Sequence, residues 1–163
     1  YTADHLALMD SLGFERFHVI GGCIGGPYCL GAIEAAPERV ACAVLQQTIG
    51  TDHNREAFYE MFDSWATPLA EARPDVDPAV LPAFRSNMYD HEFILSVSRE
   101  FVAACTTPML VLMGNDLYHP QSTSREVASL APTATLIERW KGVDEIAGTV
   151  ETVRRFLREH TPG

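Results

Sequence analysis

The chain has 163 residues, of which 47% are apolar and 21% charged, enough for one globular domain with a core of its own. Twelve basic against 22 acidic residues leave a net charge of −10, a surface that repels phosphate backbones and anionic lipid and so argues against nucleic-acid and membrane partners. No apolar run approaches the ~18 residues of a membrane-spanning helix, and no signal peptide is visible. The four cysteines (Cys23, Cys29, Cys42, Cys105) form no CxxC pair and no Cys/His zinc spacing, so no metal and no cofactor is expected and a reduced, cytoplasmic setting fits. The chain opens on Tyr1 rather than Met, which is compatible with removal of a leader or of a longer N-terminal segment.

In chain order, Thr2 is placed to cap a helix from about Ala3 to Leu12, with Leu6, Met9 and Leu12 at helical spacing and Gly13 as a stop. Phe17-His18-Val19-Ile20 is a short apolar run ending in glycines and reads as a buried parallel strand. A helix follows, with Pro27 in its first turn and Pro37 ending it. Val40 to Ile49 reads as a second strand. Residues 51–105 are rich in aromatics and helix formers, divided by Arg73-Pro74-Asp75-Val76-Asp77-Pro78, and predict two or three helices. Met109 to Met113 is a third strand closed by Gly114; Ser122 or Thr123 is placed to cap a helix to Leu130; Ala134 to Glu138 is a fourth strand. A last amphipathic helix, Asp144 to His160, carries a stripe of Ile146, Val150, Val153 and Leu157. Alternating strands and helices imply a parallel sheet, whose chemistry collects at the C-terminal strand ends.

One such end is Gly21-Gly22-Cys23-Ile24-Gly25-Gly26. A nucleophile between glycines, after a strand and before a helix, is forced up at the helix N-terminus, where N–H groups and the helix dipole favour negative charge and the thiolate form of a cysteine. The competing readings are a buried structural cysteine in a glycine turn and a phosphate loop. Against the latter, there is no GxxxxGK[ST] lysine and no GxGxxG spacing.

With these residues the sequence resembles the α/β-hydrolase family. The resemblance runs over nearly the whole chain: Leu8 to Gly13, His18 to Gly26, Ala36-Pro37-Glu38-Arg39-Val40, and Pro108 to Asp116. It implies an α/β fold with about four parallel strands flanked by helices. Residues 1–50 and 106–163 would form the core, and 51–105 a helical cap over the site. It implies Cys23 as nucleophile with Ile24 supplying an oxyanion N–H, and Gly21, Gly22, Gly25 and Gly26 forming the elbow. It also implies Asp116 as the acid, whose alternative reading is a turn aspartate. Cysteine in place of serine resembles dienelactone-hydrolase-type members, which cleave ester or lactone bonds.

The family's histidine should precede the last helix, but Trp140-Lys141-Gly142-Val143-Asp144-Glu145-Ile146 contains none. His119, on the acid loop, and His53, past the second strand, are the candidate bases, each with the plainer reading of a loop histidine. His91 falls in the cap, and His160 reads as a helix-end residue about 24 Å from the active end. Asp144 and Glu145 are poor bases for a thiol. The second oxyanion donor would come from an earlier strand, which is not in this sequence. Four of the family's usual eight strands are expected, with the elbow strand as an open apolar edge that predicts a homodimer or larger homo-oligomer.

The functional expectation is a hydrolase acting on a small-molecule ester, lactone or thioester through Cys23. The alternatives are a non-catalytic relative that has lost the histidine, and a redox-sensing thiol at a helix N-terminus.

Overall fold

The computed structural model describes residues 1–161. Phe17 to Gly22 (β1), Val40 to Gln46 (β2), Met109 to Leu112 (β3) and Ala134 to Ile137 (β4) form one parallel sheet in the order β1-β2-β3-β4. The helices are α1 (Thr2–Ser11), α2 (Gly25–Ala35), α3 (Arg55–Ala72), α4 (Val80–Tyr89), α5 (Arg99–Ala104), α6 (Gln121–Leu130) and α7 (Ile146–Glu159). The expected α/β class and the four parallel strands are therefore present. No helix among the described residues is long and apolar enough to cross a membrane.

The alternation of side chains along each strand sorts the core. Val19, Ala43, Leu45, Met109, Val111 and Leu136 face α2, α5 and α6, where Leu30, Ile33, Val102 and Val127 meet them. Val44, Leu110 and Leu112 face the other way, against Trp140 and the α7 residues Val153, Phe156 and Leu157. A third cluster lies outside the sheet, where Phe58, Phe62 and Ala66 of α3 and Tyr89 of α4 pack with Ile49 and Leu95. The stretch read as helical over 51–105 thus divides in two. Helices α3 and α4 build their own apolar cluster, while Phe93, Ile94, Val97, Val102 and Cys105 return to the sheet's core.

Several boundaries differ from the sequence reading, each for a local reason. Strand β2 stops at Gln46 instead of Ile49, because Gln47 turns into the left-handed region (φ 39°) and Ile49 then donates its N–H to the Cys23 carbonyl. Thr2 is the first helical residue rather than a cap; the cap position falls on Tyr1. Helix α6 begins at Gln121 after Pro120, so Thr123 and Ser124 lie inside it and buried; Ser124 Oγ accepts from the Gly114 N–H at 3.1 Å. Gly13 ends α1 as expected: at φ 72°, its N–H returns to Asp10 O and that of Phe14 to Met9 O. Of the α1 stripe, Leu6 and Met9 are half-buried and Leu12 is exposed; of the α7 stripe, Ile146 and Val150 are exposed.

The outer edge of β1, on which the expectation of self-association rests, carries no strand among the described residues. Ile20 on this strand is 56% exposed. A groove of about 370 Å³ runs beside it, between Leu8 and Met9 of α1 and Tyr28 and Cys29 of α2.

Candidate active site

The sheet delivers β1 to a tight turn. Cys23 sits there at φ 57°, a conformation that non-glycine residues adopt rarely and that marks a strained, overdetermined position. Three backbone bonds hold it. The Cys23 N–H donates to Gln46 O at 3.0 Å, and the Cys23 carbonyl accepts from Gly26 N–H at 3.1 Å and Ile49 N–H at 3.3 Å. Cys23 is exposed, whereas Cys29, Cys42 and Cys105 are buried. Burial pushes the Cys29 thiol up to about 12 and the Cys42 thiol up to about 11. The Ile24 N–H, next in line at the head of α2, donates to no acceptor among the described residues. It is one of the uncommitted N–H groups that a helix leaves at its first turn.

The four elbow glycines are not equivalent. A Cβ on Gly21 would collide with the Gly25 carbonyl and the Cys29 sulfur, and one on Gly26 with the Thr48 hydroxyl. Gly22 has 3.6 Å to its nearest neighbour and Gly25 has open space. The tight turn therefore depends on the outer pair, Gly21 and Gly26. The crowding is set by α2 crossing β1 and by the shelf of residues after β2.

On the loop after β3, Asp116 and His119 meet. His119 Nδ1 lies 2.6 Å from Asp116 Oδ1, which also accepts the N–H groups of His119 at 3.0 Å and Tyr118 at 3.1 Å. Burial pushes the Asp116 carboxyl up, but the hydrogen bonds from the His119 ring and the two N–H groups outweigh it and hold its pKa below the ordinary carboxylate value. Asp116 thus makes the local bonds of a turn aspartate and also pairs with the His119 ring. With the Nδ1 hydrogen on Asp116, Nε2 is left as an acceptor, and it is enclosed without a hydrogen-bond partner.

The loop is fastened by a residue that the sequence reading passed over. Buried Asn54 donates to Leu117 O at 2.7 Å and Gly50 O at 3.1 Å, and accepts from Asp52 N–H at 2.8 Å. It ties the acid loop to the chain leaving β2. Its signal in the sequence is only that of an ordinary turn asparagine before a helix.

The other histidines lie elsewhere. His53 is exposed, with φ 54° and no side-chain hydrogen bond among the described residues, so nothing links it to Cys23. His91 lines a cavity with Glu34, at the far end of α2 and about 15 Å along that helix from the elbow. His160 caps the end of α7, with Nδ1 2.8 Å from Phe156 O, as expected of a helix-end histidine. Before α7, where the resemblance implies a histidine, Lys141 Nζ donates to Gln47 Oε1 at 3.0 Å and Glu145 pairs with Arg139. Trp140 Nε1 donates to Met113 O at 2.8 Å. Cys23 Sγ itself makes no hydrogen bond with any of the described residues, so nucleophile and dyad stand as separate units here. Nor do the described residues bring together three His, Cys, Asp or Glu side chains in a group fit for a metal.

Parallel sheet, strained strand–helix turn and acid loop at one sheet end define a familiar class. The family model for the alpha/beta hydrolase fold matches residues 1–98, and the chain belongs to that family. Among solved structures it is similar to a meta-cleavage product hydrolase from Pseudomonas fluorescens IP01, at 20% identity and a TM-score of 0.67 over 99% of this chain and 71% of that one. It is also similar to Rv0554 from Mycobacterium tuberculosis, at 20% identity and a TM-score of 0.70 over 99% of this chain and 72% of that one. The esterase RhEst1 from Rhodococcus sp. ECU1013 matches at 18% identity and 0.65, over 98% and 72%. No curated protein matches.

Proposed function

We propose that the chain is an α/β-hydrolase-type enzyme that cleaves a small ester, lactone or thioester through a Cys23 acyl-enzyme. The observation that carries this reading is the presentation of Cys23: exposed, held at positive φ, and followed by the uncommitted N–H of Ile24. That the similar structures include a hydrolase and an esterase supports the class.

In this reading the Cys23 thiolate attacks the carbonyl carbon and the carbonyl's π pair moves onto oxygen, where the Ile24 N–H meets it. Collapse of this intermediate breaks the bond to the leaving group, which departs as the alkoxide or thiolate and takes a proton from solvent water, and leaves the acyl group on sulfur. Water then attacks the thioester, and His119 Nε2 takes its proton while Asp116 orients the ring through Nδ1. Cysteine in the serine position is the feature shared with dienelactone-hydrolase-type members. The helices α3 and α4 serve as the cap in this reading, and their aromatic underside shapes an apolar acyl site.

The experiment is hydrolysis of p-nitrophenyl acetate by the parent protein and by Cys23→Ala. The reading expects the variant to lose at least about 10³-fold in rate, as removal of a covalent nucleophile does. Equal rates would show that Cys23 is not the nucleophile. A second reading, a non-catalytic relative, is favoured by the lack of any hydrogen bond from Cys23 to a histidine and of any histidine in residues 139–145. It expects no turnover by either protein.

A further inference from the structure

We propose that Asn54 is the positioning residue that sets the Asp116–His119 pair in register with the elbow, so that His119 Nε2 meets the water that deacylates Cys23. This rests on the reading of Cys23 as nucleophile and His119 as base, and it assigns the part that joins them.

No side-chain bond links the two units, but a short run of backbone does. The Cys23 carbonyl accepts from the Ile49 N–H at 3.3 Å. The next residue, Gly50, accepts at its carbonyl from Asn54 Nδ2 at 3.1 Å, and the same nitrogen donates to Leu117 O at 2.7 Å. Leu117 directly follows Asp116 on the acid loop. One amide group therefore touches both the shelf behind the elbow and the middle of that loop.

The way Asn54 spends its hydrogen bonds marks a positioning role. It is 3% exposed and stands at the N-cap of α3, where an asparagine ordinarily turns its oxygen to the first N–H groups of its helix. Its side chain makes no such bond. Oδ1 accepts from the Asp52 N–H, and the amide N–H groups go to two carbonyls outside the helix. From Asn115 to His119, every other hydrogen bond among the described residues stays within the loop. Leu117 is 58% exposed, so its side chain does not anchor the loop by burial. Tyr118 packs edge-on against Phe58, 5.4 Å between centroids, and this non-directional contact fixes no backbone atom.

The consequence falls on one step. In deacylation a water oxygen bonds to the thioester carbon as His119 Nε2 takes its proton. The C–S bond then breaks, sulfur leaves as the thiolate, and the imidazolium returns the proton to solvent. A shift of about 1 Å in the base costs this step up to about 10²-fold. Acylation by p-nitrophenyl acetate needs no base, since the thiolate attacks and p-nitrophenolate leaves as the anion.

The test is a cycle of four proteins: the parent, Asn54→Ala, His119→Ala and the double variant. Each is acetylated with p-nitrophenyl acetate and freed of reagent, and loss of the acetyl group from Cys23 is followed by mass spectrometry. Asn54→Ala should slow deacylation at least about 10-fold in the parent but within about twofold in the His119→Ala background, with acetylation within about threefold throughout. Iodoacetamide alkylation of Cys23 reports an intact elbow. If Asn54→Ala exposes the buried thiols, Asn54→Asp takes its place with the same expectation, since it keeps the shape and the Asp52 N–H acceptor and loses the donors. Unchanged deacylation, an equal loss in both backgrounds, or a parallel fall in acetylation overturns the role of Asn54 and leaves Cys23 and His119 standing. Deacylation as fast in His119→Ala as in the parent overturns the base reading and this inference with it, and a parent whose Cys23 never acetylates overturns the nucleophile reading as well.

Discussion

At the scale of single residues, the chain separates one cysteine from three. Cys23 is exposed on the elbow, while Cys29 and Cys42 are buried thiols whose pKa values burial raises to about 12 and about 11, and Cys105 is enclosed in the core. A thiol reagent at pH 8 should therefore label one residue quickly in the folded protein, and Cys23→Ser should remove that fast phase; labelling of two or more thiols at one rate would contradict this environment. Cys23 was legible in the sequence because an elbow is a local pattern, glycines around a nucleophile between a strand and a helix. Asp116 and His119 were legible as candidates for the same reason, since both lie within one loop. What could not be read was whether they reach Cys23, because that depends on packing between segments some 90 residues apart. Asn54 was missed on similar grounds: it belongs to no motif and acquires its place only through its tertiary contact with Leu117.

At the scale of elements, the elbow is held by crowding as much as by conformation. Gly21 and Gly26 have no room for a methyl group, while Gly25 has open space. Gly21→Ala and Gly26→Ala should each destabilise the protein by about 1–3 kcal/mol or displace Cys23, whereas Gly25→Ala should stay within about 0.5 kcal/mol, as read by urea denaturation. Equal costs at the three positions would mean that backbone freedom, not contact, holds the turn. The strands were legible because each is a short, mostly apolar run; the sheet buries both faces of β2 and β3, whereas β1 and β4 at its edges are only half-buried. The strand ends were less legible. Val40 to Ile49 is apolar or small almost throughout, yet the ladder ends at Gln46 because residues 47–49 turn to support the Cys23 carbonyl. Composition carries no trace of that exchange. The predicted caps failed likewise: Thr2, Ser122 and Thr123 are good capping residues, but all three fall inside their helices.

At the scale of the whole molecule, α7 closes one sheet face and meets β1 at its foot. There His18 sits between Cys42, with Nδ1 3.0 Å from Sγ, and Thr161, with Nε2 3.0 Å from Oγ1. Burial, then the charges of His160 and Arg16, lower the His18 pKa from its ordinary 6.5. The folded chain therefore takes up this proton at lower pH than the unfolded chain. The resulting stability is present above about pH 6.5 and is lost as pH falls below it. The urea midpoint should drop between pH 7.5 and 5.5 in the parent protein and drop less in His18→Gln; an identical drop in both would remove His18 from the account. At the opposite end of the sheet the strand ends, the aromatic helices and the acid loop converge, and the proposed chemistry depends on that convergence presenting Cys23 to a carbonyl carbon. The most direct measurement is to mix the protein with p-nitrophenyl acetate, quench in acid and locate the acetyl group by peptide mass spectrometry. The account predicts an acetyl thioester on Cys23 that forms as p-nitrophenolate is released. Release without acetylation of Cys23, or with the acetyl group on another residue, would contradict it.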